Sequence, residues 1–106
     1  MTIGSFATVK NGLPYVAHVD LTLMKSNITV VASFESLFGA VASFGVHCAL
    51  SDCNQEARVF VSDIKGAYTD TTPGAVAAAA MRAVYQALGR EPNQEKIEQI
   101  GTWTLS

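Results

Sequence analysis

The stretch Thr72–Arg90, TPGAVAAAAMRAVYQALGR, constrains this chain more than any other, because local chemistry marks both of its ends as helix boundaries. The Thr72 hydroxyl can accept from the first free backbone N–H groups, and Pro73 suits the first helical position, where its missing N–H is no loss. Gly89 can take the left-handed conformation that closes a helix, and Pro92 forbids continuation. A helix over 73–88 follows. Val76, Ala80, Ala83 and Ala87 line one stripe, with Ala77, Met81, Val84 and Leu88 beside it, a wide apolar face at helical spacing. Arg82, Gln86 and Arg90 are placed toward water. The run Ala77–Ala80 combines high helix propensity with almost no side-chain volume, so the helix axis is expected to lie close against a sheet.

Everything upstream reads as sheet. Ile3–Lys10 is a first strand, and Asn11-Gly12 is a hairpin signal, weakened by Pro14, which cannot donate to a ladder. Ala17, Val19, Leu21 and Leu23 then alternate with His18, Asp20, Thr22 and Met24, the pattern of a half-buried strand. Ile28, Val30, Ala32 and Phe34 alternate in a third strand. The segment 36–44, SLFGAVASF, is read as an irregular hairpin tip, with a glycine bulge or a short helix as alternatives, because Val46, Cys48 and Leu50 resume the alternation after Gly45. Residues 51–56 form a polar turn. The strand over 57–64 is apolar on both faces in its middle and is therefore expected to be central. Past the long helix, 93–99 reads as a short second helix and 102–105 as a last short strand carrying Trp103.

These elements define an α+β domain spanning 1–106: an antiparallel sheet of five or six strands, packed on one face by the C-terminal alanine-rich helix. At 106 residues the chain is of single-domain length. Charged residues are only 15% and apolar residues 49%, more apolar surface than a domain of this size readily buries, which predicts a homodimer. The net charge is −2 and the seven basic residues are scattered, which argues against nucleic-acid binding. No apolar run has the length of a membrane span, and the start MTIGSFATVKNG lacks the basic and apolar regions of a signal peptide, so the cytoplasm is the expected compartment. Cys48 and Cys53 are then expected to be reduced thiols, Cys48 buried and Cys53 exposed or loosely packed.

Two readings of function arise. His18-x-Asp20, with His47, could supply an oriented imidazole in a pocket between helix and sheet, the basis for a small-molecule-binding domain or small enzyme. No nucleophile elbow or phosphate-binding glycine pattern accompanies it. His47, Cys48, Asp52 and Cys53 lack zinc-ligand spacing, so neither metal nor cofactor is expected. The favoured reading rests instead on acids in and around turns, Asp52, Glu56, Asp63 and Asp70, which could engage the basic surface of another protein. It makes the chain a non-enzymatic interaction module, suited in size to an inhibitor from a phage or mobile element that binds and occludes a partner.

Overall fold

A computed structural model describes residues 2–10, 12–33, 38–65 and 72–102. Their order is β1 (Thr2–Lys10), β2 (Leu13–Lys25), β3 (Val30–Ser33), α1 (Gly39–Asp52), β4 (Ala57–Lys65), α2 (Pro73–Leu88) and α3 (Gln94–Thr102). The four described strands form one sheet in the order β1-β2-β4-β3. β1 and β2 make the hairpin that Asn11-Gly12 signals, with Lys10 opposite Leu13 and Gly12 at φ +77°. Pro14 is tolerated because, among the described residues, β4 pairs with β2 only from His18 onward and no second neighbour needs the N–H that Pro14 lacks.

The class is α+β, but the sheet has four described strands rather than five or six, and it is mixed rather than antiparallel. β4 runs antiparallel to β2 and parallel to β3. The cause is α1. The residues expected to form a hairpin tip and a following strand, including Val46, Cys48 and Leu50, are one helix, and a helical crossover returns the chain to a neighbouring strand in parallel. Gly39, Ala42, Val46, Ala49 and Leu50 bury at helical spacing, while Val41, Phe44 and Cys48 leave the other side apolar as well, so the period was masked. The central position expected for the strand over 57–64 holds, since β4 lies between β2 and β3. The last strand expected over 102–105 meets the end of α3 at Thr102; 103–105 lie outside the described residues, as do Phe34 and Leu37.

α2 is built as its ends dictate. The Thr72 Oγ1 accepts from the Ala75 N–H at 3.1 Å, Pro73 starts the helix, and Gly89 closes it at φ 66°. Every residue from Gly74 to Met81 is buried. Small side chains permit this on two sides at once. A Cβ at Gly4 would fall on the Ala79 carbonyl, and one at Gly45 would fall on the Ala77 carbonyl, so α2 touches β1 on one side and α1 on the other with glycine at both closest approaches. Phe6, Leu21, Val46, Val61, Met81, Tyr85 and Ile97 supply the bulk of the core. Arg82 is not turned to water as expected. Its guanidinium lies 5.9 Å from the centre of the Phe6 ring, donates to the Ser5 carbonyl at 3.3 Å and to Gln94 Oε1 at 3.0 Å, and so ties β1 to α2 and α3.

Candidate functional site

The helices cover one face of the sheet and leave the other open. Alternation along the strands sends Ala17, Val19, Leu21, Val59 and Val61 inward and His18, Asp20, Thr22, Met24, Arg58 and Phe60 outward. Among the described residues seven large apolar side chains are exposed, and five of them, Ile3, Val9, Met24, Val30 and Phe60, belong to this outward face; the other two are Ile28 and Phe44. Toward the β3 side Thr22, Met24, Val30, Ala32, Arg58 and Phe60 line a shallow groove of about 270 Å³.

The other end of the same face is polar. A register shift between Asp20 and Leu21 places Asp20 directly opposite Asp63, with His18 opposite Lys65 two pairs along on the same face. Ser5 Oγ and His18 Nδ1 share a hydrogen bond of 2.6 Å, and Ile3, His18, Asp20, Asp63 and Lys65 surround a small cleft. Lys65 Nζ stands 3.6 Å from Asp63, an exposed pair that contributes little. Asp20 Oδ1 is buried and has no hydrogen-bond donor among the described residues. Two carboxylates directly across neighbouring strands repel each other, and a buried oxygen without a donor is costly.

The remaining residues singled out from the sequence are dispersed. His47 does not join His18 and Asp20. It is exposed on α1, between a polar groove of about 330 Å³ that includes Thr29, Ser51, Gln55 and Glu56 and an apolar groove of about 410 Å³ that includes Phe44, Cys48, Met81, Lys96 and Ile100. The space between α2 and the sheet is filled by the core, so the expected helix–sheet pocket holding all three residues is not formed. Asp52 closes α1 instead of standing in a turn. Its carboxylate accepts from the Tyr85 hydroxyl at 2.8 Å, Lys96 Nζ at 3.1 Å and Asn93 Nδ2 at 3.4 Å. The Tyr85 hydrogen bond first, and that from Lys96 next, hold the Asp52 carboxyl below the usual carboxylate range, while burial and then Asp52 push the Tyr85 phenol far up. Glu56 accepts from the Thr29 hydroxyl at 2.5 Å. Asp70 lies outside the described residues.

Both cysteines are free thiols, and their burial is the reverse of that expected, Cys53 buried and Cys48 half-buried. Burial pushes both above the ordinary thiol value, away from thiolate chemistry. Among the described residues no group of three or more His, Cys, Asp or Glu side chains is arranged to hold a metal ion, and no helix is long and apolar enough to cross a membrane. The alternation sets Met24 on the outward side of β2, leaves Phe60 undecided in a strand apolar on both faces, and groups Val30 with the apolar set of its strand; only the sheet order shows that the three share a face that no described element covers.

No protein-family model and no curated protein matches this chain. Its fold is similar to part of the Streptococcus pneumoniae phosphomevalonate kinase crystal structure, with a TM-score of 0.50 and 11% identity over 98% of this chain. The chain spans 34% of that kinase's length, and at this identity the likeness concerns the fold alone.

Proposed function

We propose that the protein is a non-enzymatic interaction module that docks another protein on the open sheet face and occludes it. The partner presents a basic side chain to the Asp20–Asp63 pair and apolar groups to Met24, Val30 and Phe60. The single observation that carries this reading is the unpartnered Asp20 Oδ1 on a face that also bears five exposed large apolar side chains. A lysine or arginine arriving there pairs with the exposed Asp63 carboxylate, relieves its repulsion with Asp20, and reaches the covered Asp20 Oδ1 once that side chain turns outward. Asp63 thus stays in the acidic set read from the sequence, Asp20 joins it, and Asp52, already holding three hydrogen bonds, is left out. Affinity capture from native-host cells tests the reading. The wild type should retain a basic protein in a salt-sensitive manner, Asp20→Asn/Asp63→Asn should lose it, and Glu95→Gln/Glu98→Gln on α3 should keep it. Equal retention by the Asp20/Asp63 variant, or no captured protein at all, rejects it.

The apolar groove between α1, α2 and α3 favours a second reading, a small-ligand site lined by Phe44, Met81 and Ile100. Thermal stabilisation by a metabolite that Ile100→Glu abolishes would move the function there.

A further inference from the structure

Among the described strands the sheet has two edges, and they are built differently. β3 offers four described residues, a short edge. β1 offers nine, in unbroken register with β2 from Thr2 opposite Leu21 to Lys10 opposite Leu13. Folded proteins protect such an edge with charged residues, proline or a bulge. From Thr2 to Val9 the strand has no charged residue and no proline, and its ladder with β2 has no shift. Its two large outward side chains are also among the most exposed of the described residues, Ile3 at 59% and Val9 at 69%.

We propose that the β1 edge binds the β1 edge of a second copy of this chain, antiparallel about a two-fold axis at Phe6, to make one continuous eight-stranded sheet. The occupant is identified by the strand itself, because a two-fold interface must be complementary to its own reverse. Read outward from Phe6, the residues on the outer face of the sheet match in side-chain size across the axis, while the inward Gly4 and Thr8 do not. Ser5 faces Ala7 of the second copy, Gly4 faces Thr8, and Ile3 faces Val9. This register sets the two exposed β-branched side chains against each other twice across the axis, as directly opposed cross-strand pairs. Alternating paired residues over nine positions supply up to about eight new backbone hydrogen bonds, and the Ser5 carbonyl, which accepts from Arg82 Nη1 at 3.3 Å, joins them only by sharing or releasing that guanidinium. The low charge content of the whole chain, 15%, accords with an exposed edge that is covered in the assembly. The inference stands apart from the partner-docking reading. Asp20 and Asp63 lie on β2 and β4 and take no part in the edge ladder, although Ile3 stands directly opposite Asp20 and borders its cleft; a monomer that still captured a basic protein would reject the dimer and leave that reading intact.

Light scattering on the eluting protein should give twice the chain mass at micromolar concentration. Ile3→Lys/Val9→Lys, which sets lysine against lysine in both outer pairs, should halve that mass with an unchanged circular-dichroism spectrum, since neither side chain is in the core. The register is read with Cys48→Ala/Cys53→Ala as background. Mild oxidation of an equal mixture of Ile3→Cys and Val9→Cys chains should cross-link one to the other, while neither chain alone should cross-link. A monomeric wild type, a dimer that survives the double lysine variant, or a cross-link formed by Val9→Cys alone would each overturn the proposal.

Discussion

Leu21 and Met24 stand three residues apart on the same strand and meet opposite fates. Leu21 is fully buried beneath the helices, whereas Met24, on the other face of the sheet, is 68% exposed. Val61 and Phe60 on β4 repeat the contrast, at 0% and 49%. Apolar character is therefore not what separates the two faces. The covered face is the one that an alanine-surfaced helix can approach, through Gly4 on β1, and that α1 then flanks through Gly45. The difference teaches that exposure in this chain reflects where the helices are connected, and that the open face keeps apolar side chains which its own chain does not use for folding.

The largest expected effect tests that division directly. Leu21→Ala should lower stability by about 2–5 kcal/mol, as for other fully buried leucines, while Met24→Ala should stay within about 0.5 kcal/mol of wild type in chemical denaturation. Equal losses at the two sites would mean that the open face is covered in the folded molecule. Next in size is the closest helix crossing. Gly45→Ala places a methyl group on the Ala77 carbonyl, and neither backbone can yield cheaply, so a loss of about 1–3 kcal/mol is expected. A neutral result would show that α1 and α2 pack less tightly than these contacts require.

The smallest effect sharpens the contrast between two carboxylates, Asp52 with three donors and Asp20 Oδ1 with none. Tyr85→Phe should cost about 1 kcal/mol near neutral pH by removing one of the Asp52 hydrogen bonds. The folded Asp52 carboxyl titrates below its unfolded value of about 3.9, so its stabilisation is complete above that value and is lost as pH falls through the lower, folded one. Denaturation series between about pH 5 and pH 2 should consequently show a shallower acid loss in Tyr85→Phe than in wild type. Parallel curves would remove Tyr85 as the chief cause of the Asp52 shift.

Tertiary context also explains which site residues were legible. The pair His18 and Asp20 was found because period-two alternation puts them outward whatever the sheet order, whereas Asp63 was found only as an acid near a turn, since it shares parity with the inward Val59 and Val61 and reaches the outer face through the irregularity opposite Asp20 and Leu21. Their grouping was not, because Asp20 and Asp63 are 43 positions apart and meet only through the β2–β4 register and its irregularity. Asp52 looked like a loop acid because its partners Tyr85, Asn93 and Lys96 come from the two later helices. His47 falls on the outward side of a strand by parity, but α1 is a helix and carries it away from His18.

Local chemistry was sufficient wherever an element announces its own ends or alternates cleanly. The Thr72 cap, Pro73 and Gly89 delimit α2 to the residue, Gly12 turns the first hairpin, and β2 sorts its side chains by parity. α1 lacked such marks, since Phe38 makes no side-chain cap and apolar residues surround the helix, so its state depended on packing against α2. Strand order and the uncovered face belong to the same kind of information. Both follow from a crossover between distant segments, and the free energy that selects it comes from contacts that no short window of sequence contains.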